Sequence, residues 1–101
     1  MIHEIAEFTI ADGREAEFED TMMIARRVIA RAPGFVSIEY WRGVERPQVY
    51  TLIIKWQSVE AHTEGFRQSA LYAEWSALVR PFFAAPPEVA HAVPRINPFH
   101  G

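Results

Sequence analysis

Apolar and polar residues alternate along "IHEIAEFTI", residues 2–10. Ile2, Ala6, Phe8 and Ile10 fall on one face, with Glu4 among them, and His3, Ile5, Glu7 and Thr9 fall on the other. The β-branched content and the period of two predict a strand. The period then changes. In "REAEFEDTMMIARRVIARA", Phe18, Met22, Ala25, Ile29 and Ala32 recur at i+3 and i+4 and predict a helix with one apolar stripe. Asp12 stands where an N-cap belongs, with Glu15 three residues on, the reach of a capping box. Acids gather in the first turns (Glu15, Glu17, Glu19, Asp20) and Arg26, Arg27 and Arg31 in the last, an order that complements the helix dipole. An anion site is one reading of those arginines; a solvated helix end is the simpler one.

"APGF" closes this helix with Pro33 and Gly34. "FVSIEYWRG" and "QVYTLIIKW" read as two further strands joined by a turn at "VERP", and Pro47 costs no ladder bond if it precedes the paired region. In the second of them Val49, Thr51 and Ile53 alternate with Tyr50, Leu52, Ile54 and Trp56. In the first, Phe35 and Trp41 alternate with Val36, Ile38 and Tyr40. Ser58 is placed to cap a short helix, "VEAHTEGFR", weakened by Gly65. Ser69 is placed to cap another, "ALYAEWSALV", closed by Pro81, with Leu71, Trp75 and Leu78 in one stripe and Tyr72 and Val79 beside it. "PFFAAPP" predicts a loop, "EVAHAVPRI" a last short strand with Val89, His91 and Val93 on one face, and "NPFHG" a tail.

The predicted order is β-α-β-β-α-α-β. It specifies an α+β domain of the ferredoxin-like split βαββαβ plan: a four-stranded antiparallel sheet with helices on one face. One domain spans residues 1–101, with 95–101 as its tail. The helices cover one sheet face, yet the strands carry apolar residues on both. An apolar second face left to water is a sticky patch. Two copies packed sheet to sheet, a homodimeric α+β barrel, resolve it most simply.

Composition narrows the function. Half of the 101 residues are hydrophobic and 23% are charged, an ordinary globular mix. The net charge is -3, and nine arginines and one lysine are scattered rather than clustered, which argues against a nucleic-acid partner. There are no cysteines, so thiolate metal sites, disulfides and cysteine nucleophiles are excluded. "MIHEIAEFTI" lacks the basic and apolar regions of a signal peptide, and no apolar run approaches the ~20 residues of a membrane span. A soluble, cytoplasmic protein with no membrane partner is the expectation.

No nucleotide-binding glycine loop, HExxH or GxSxG motif is present. His3, His62, His91 and His100 lie far apart, and Glu60 and His62, two apart, do not share a helix face, so no metal site is expected. Single residues remain. His62 belongs to the residue type whose ordinary pKa lies near working pH and so suits a general base, or is a polar residue at a helix rim with nothing nearby in sequence to orient its ring. Tyr72 can donate to a substrate oxygen, or is a core ring with its hydroxyl at the edge. Trp75 sits on an apolar stripe, which explains it without chemistry. Arg67 can pair with an anionic substrate or lie exposed. His91, facing inward with Val89 and Val93, fits a satisfied core or interface histidine better than a base. Glu7 and Glu39 sit within strands, and Arg42 is a candidate partner.

"MIHEIAEFTIADGREAEFE", "APGF", the W-S-EAH pattern of Trp56, Ser58 and Glu60–His62, and the spaced run Phe66, Ser69, Tyr72, Trp75 together resemble the antibiotic biosynthesis monooxygenase (ABM) family. The resemblance runs from Ile2 to about Val93. It implies a homodimeric ferredoxin-like fold, and it spans cofactor-free oxygenases of phenols and quinols, haem-degrading oxygenases and small isomerases. The haem branch carries an Asn, a Trp and a His where this chain has Ala6, Gly65 and Trp75. Without the axial histidine, haem degradation is rejected.

The resemblance therefore points to oxygenation of a small aromatic substrate without a cofactor. An electron-rich phenolate can reduce dioxygen directly, so the protein need only hold the substrate, help remove a proton and stabilise the anion. Such folds roof their pocket with the helices. That makes His62 and Tyr72 the catalytic candidates and Phe66, Arg67, Trp75 and His91 the substrate-binding ones. An isomerase on the same scaffold, or a binding or stress-response module without chemistry, are the alternatives.

Overall fold

The computed structural model describes residues 1–101. Four strands, β1 (Ile2–Thr9), β2 (Phe35–Arg42), β3 (Val49–Trp56) and β4 (Glu88–Ala92), form one antiparallel sheet in the order β2-β3-β1-β4. Helices α1 (Glu15–Ile29) and α2 (Ala70–Val79) pack on the same face of it. A π-turn (Ala61–Phe66) leads into α2, and a short 3-10 turn (Arg80–Phe82) leaves it. This is the α+β split βαββαβ arrangement that the residue pattern predicts.

The strand faces follow the pleat. On β1, Glu4, Ala6 and Phe8 are buried under the helices, joined by Ile10 just beyond the strand. On β3, Tyr50, Leu52, Ile54 and Trp56 are buried beside them. The α1 stripe is fully realised, with Phe18, Met22, Ala25 and Ile29 buried and Ala32, past the helix end, buried with them.

Several local expectations change. Asp12 does not cap α1. Gly13 turns the chain with φ +84, leaving Asp12 outside and Arg14 at the N-cap position. The Glu15 carboxylate accepts from the Gly13 N–H at 3.2 Å, and Arg14 reaches instead to the Pro81 carbonyl and stacks over Phe82. Regular pairing of β1 stops at Thr9, and Ile10 forms an isolated bridge to Phe83. A β-bulge between Phe35 and Ser37 shifts the register, so Phe35 lies opposite Trp56 and joins the helix-covered face. The open face is therefore less apolar than the strand pattern implies: Ile5 and Ile53 share it with His3, Glu7, Glu39 and Lys55. Trp41, on the same face, is 61% exposed. Arg42 does not serve Glu7; it pairs with Glu19 at 3.5 Å, and Glu7 meets Arg46 at 3.7 Å.

On α2 the burial centres on Trp75 and Val79, with Leu71, Tyr72 and Leu78 half-buried. Ser58 does cap the segment before the π-turn, accepting from the Ala61 N–H at 3.1 Å. Ser69 does not cap α2 with its side chain; its hydroxyl donates back to the Phe66 carbonyl at 2.6 Å. β4 is shorter than predicted, ends before Val93, and exposes every residue, His91 included.

Gly34 fixes how the π-turn sits on the sheet. Its φ is +87, a region L residues with side chains avoid. Its carbonyl accepts from the Gln57 N–H at 2.8 Å. A Cβ there would lie 2.6 Å from the Ala61 Cβ, so only glycine lets the first residue of the π-turn come this close.

Candidate active site

The helix expected at "VEAHTEGFR" is a π-turn over Ala61–Phe66, closed by an Arg67 N–H to His62 carbonyl bond of 3.0 Å. Such a turn carries one residue more than an α-turn and is frequent at functional sites. Here it turns His62 and Phe66 together into the space between sheet and helices, and both are buried. Sequence spacing offers nothing to orient the His62 ring, but the fold does. Its Nε2 lies 3.2 Å from Glu4 Oε1 on β1, and its Nδ1 lies 2.8 Å from His91 Nε2 on β4. The indole Nε1–H of Trp56 donates to the same Glu4 oxygen at 3.0 Å, and the Trp56 and His62 rings stack at 5.4 Å. A chain of polar groups, Trp56–Glu4–His62–His91, thus runs from the core to the surface.

Burial sets the charge states. The His62 ring is held down to about 4 from 6.5, by burial first and then by the nearby charges of Arg67 and His91. It is neutral at working pH. Burial pushes the Glu4 carboxyl above its ordinary 4.5, opposed by the Trp56 hydrogen bond and the Arg67 charge. A neutral histidine has one donor and one acceptor nitrogen. With Nε2–H facing the Glu4 carboxylate, Nδ1 is left to accept from His91. Both nitrogens are then occupied.

Glu4 and His62 line a cavity between β1, the π-turn and α2, walled by Phe66, Trp75, Val79, Phe83 and Val89. Tyr72, Arg67 and Arg80 line it as well. Tyr72 stands edge-on to Phe66 at 5.5 Å and accepts a long hydrogen bond from Arg80 at 3.4 Å. That hydrogen bond is the largest influence lowering the Tyr72 hydroxyl below its usual 10. Because the hydroxyl accepts from Arg80, its own proton remains free to donate. The cavity holds about 50 Å³, well under the ~300 Å³ of ordinary ligand pockets.

A roomier hollow of about 390 Å³ lies between α1 and strands β2 and β3, lined by Met22, Met23, Tyr40 and Tyr50 among others. Its charged groups satisfy one another: the Tyr50 hydroxyl donates to Glu19 at 2.5 Å and Arg42 pairs with Glu19. Its one unpartnered group is the buried Tyr40 hydroxyl, which burial pushes up to about 12 and so keeps protonated. The hollow thus lacks a base, and the chemistry points to the smaller cavity. No group of three or more His, Asp or Glu side chains is arranged to hold a metal ion.

The structure brings five of the six sequence candidates to this cavity's walls: His62, Phe66, Arg67, Tyr72 and Trp75. His91 stands outside, against His62, exposed on the edge strand. Phe66 and Trp75 are also core residues, 2% and 6% exposed. Sequence reasoning passed over Glu4, Trp56 and Arg80. The signal for Glu4 was present: a lone carboxylate on the apolar face of β1.

Fold and site define a class: a small ferredoxin-like domain that places acid–base side chains and an aromatic wall under its helices. The chain belongs to the antibiotic biosynthesis monooxygenase family, whose model matches residues 1–78. It is 37% identical over 91 residues to the uncharacterized protein YczJ of Bacillus subtilis, covering 90% of this chain and 96% of that one. It is 42% identical to a crystal structure from Bordetella bronchiseptica named "Putative antibiotic biosynthesis monooxygenase", covering 94% and 97% of the two chains with a TM-score of 0.91. SnoaB, a cofactor-independent oxygenase from Streptomyces nogalater, has a TM-score of 0.80 at 22% identity, covering 95% and 94%, a likeness of fold alone. No helix is long and apolar enough to cross a membrane.

Proposed function

We propose that this cavity is the active site of a cofactor-independent monooxygenase acting on a phenolic or quinol-like small molecule. The observation that carries the reading is the Glu4–His62–His91 chain, whose buried members Glu4 and His62 line a cavity walled by Phe66, Tyr72 and Trp75. The reaction needs a proton removed beside an aromatic wall. With an activated CH₂ flanked by aromatic rings, dioxygen supplies one atom to a new carbonyl and the other leaves as water, so the substrate is the only reductant required. The deprotonated substrate passes an electron to dioxygen, and the Tyr72 hydroxyl and the charges of Arg67 and Arg80 face the developing anion. SnoaB, a cofactor-independent oxygenase on the same fold, supports the assignment.

Oxygen uptake tests it. Chelator-treated protein mixed with hydroquinones and anthrones should consume dioxygen above background. Tyr72→Phe should lower the rate about tenfold or more and His62→Ala about a hundredfold, the scale of lost donors and lost proton handling. Uptake that is absent on every such compound, or unchanged in both variants, sinks the reading.

The cavity volume favours a second reading. At about 50 Å³ it suits a small metabolite better than a fused-ring phenol. An isomerase of a small metabolite would use the same proton-handling groups and be indifferent to dioxygen.

The active unit is proposed to be a homodimer joined through the open sheet face. Trp41, 61% exposed among strand residues, supports it. Light scattering should give twice the chain mass, and Trp41→Glu should shift it to the monomer. A wild-type monomer at micromolar concentration overturns the dimer.

A further inference from the structure

We propose that Glu4, rather than His62, is the group that first takes the substrate's proton, on its Oε2 atom, with His62 as the positioning residue that holds Oε1. The inference rests on the reading of this cavity as an active site and assigns its base. Three features of geometry carry it. The Trp56 N–H and His62 Nε2 both address Oε1, and no hydrogen bond engages Oε2. Oε2 is not sealed either, because the only fully buried side-chain oxygen or nitrogen without a partner is the Tyr40 hydroxyl. Glu4 lines the cavity, whereas both His62 nitrogens are already occupied by Glu4 and His91. A carboxylate on a residue that lines the cavity, with one oxygen held by two partners and the other without one, is the arrangement a general base requires.

The surroundings tune it. From β3 Glu4 meets Trp56 and apolar Ile54; from the π-turn and the residue after it, neutral His62 and cationic Arg67; from β4, His91 beyond His62. α1 offers apolar Ile29, and α2 with the 3-10 turn offers Tyr72 and Arg80 across the cavity. Burial dominates and raises the carboxyl, which makes it a stronger proton acceptor than a surface glutamate. In the step itself a substrate O–H or activated C–H bond breaks and an O–H bond to Oε2 forms. The electron pair stays on the substrate as a phenolate or carbanion. Glu4 becomes neutral, and the new anion faces Arg67, Arg80 and Tyr72. No oxidant takes part.

Proton removal is therefore measurable without oxygenation. Under argon in deuterated buffer, anthrone and cyclohexanone serve as carbon-acid probes, and mass spectrometry reads deuterium incorporation. The wild-type protein should accelerate exchange on at least one probe. Glu4→Gln should lower that rate at least a hundredfold, Glu4→Asp about tenfold, and formate should restore part of the rate to Glu4→Ala. His62→Phe leaves Oε1 with Trp56 as its sole donor and should move the acidic limb of the exchange profile to higher pH.

Folded Glu4→Gln exchanging like the wild type, wild-type protein accelerating neither probe, or an unmoved limb in His62→Phe overturns the assignment. The two readings separate cleanly. Exchange that needs Glu4 but brings no oxygen uptake in air sinks the oxygenase and keeps the base. Oxygen uptake that survives Glu4→Gln does the reverse.

Discussion

Trp56→Ala should cost about 3–5 kcal/mol of stability, the range for deleting a large buried ring. Trp56 is fully buried and is the largest such side chain in the core. It touches Phe35, His62 and Phe66, so its loss opens a hole on which β2, β3 and the π-turn all border. Small domains hold about 5–15 kcal/mol in total, so the variant should unfold at a much lower urea concentration. Trp56→Phe separates packing from polarity. It keeps most of the ring but removes the N–H that Glu4 Oε1 accepts. The loss should be about 1–3 kcal/mol, the cost of leaving a buried acceptor short of a donor. Equal losses in the two variants would show that the hydrogen bond, not the volume, dominates. A loss under about 1 kcal/mol in Trp56→Ala would mean that the site collapses around the hole, contrary to the packing argument.

Gly34→Ala should be the other severe change. Two costs combine. The positive φ disfavours any side chain by about 1–2 kcal/mol, and the new methyl would meet the Ala61 Cβ at 2.6 Å. Overpacking of this kind costs about 1–3 kcal/mol. The backbone must shift where β2 begins, and the shift is passed to the π-turn that carries His62. The double variant Gly34→Ala/Ala61→Gly should recover the steric share and leave the conformational one. Urea denaturation of these two variants and of Ala61→Gly alone measures both shares. A single variant as stable as the wild type would show that the π-turn moves aside freely.

Much of this molecule was legible in the residue pattern, for identifiable reasons. The α1 stripe and the β3 alternation are long and regular, and tertiary packing agrees with them. The bulge at Phe35–Ser37 was not legible, because one extra residue inverts the apparent face of Phe35 and nothing in "FVSIEYW" marks it. Asp12 failed as a cap because Gly13, permissive of a left-handed turn, carried the loop on so that the helix start fell two residues past it, at Arg14. The site was half legible. Tyr72, Trp75 and Phe66 announce themselves by spacing. The Glu4–His62–His91 chain joins residues 58 and 29 positions apart, so only the sheet order β3-β1-β4 and the π-turn bring them together. Glu4 alone gave warning, as a carboxylate where apolar residues belong.

The π-turn has a consequence for insertions and deletions. Relative to an α-turn it carries one residue too many between Ala61 and Phe66. Deleting a single residue there would restore ordinary i to i+4 bonding at little backbone cost. It would also leave three residue steps instead of four between His62 and Phe66, changing both the angle and the rise between them. His62 would swing off Glu4 while Phe66 stayed in the core. In this chain, then, the length of this short segment, as much as the side chains it holds, sets whether His62 reaches the first strand.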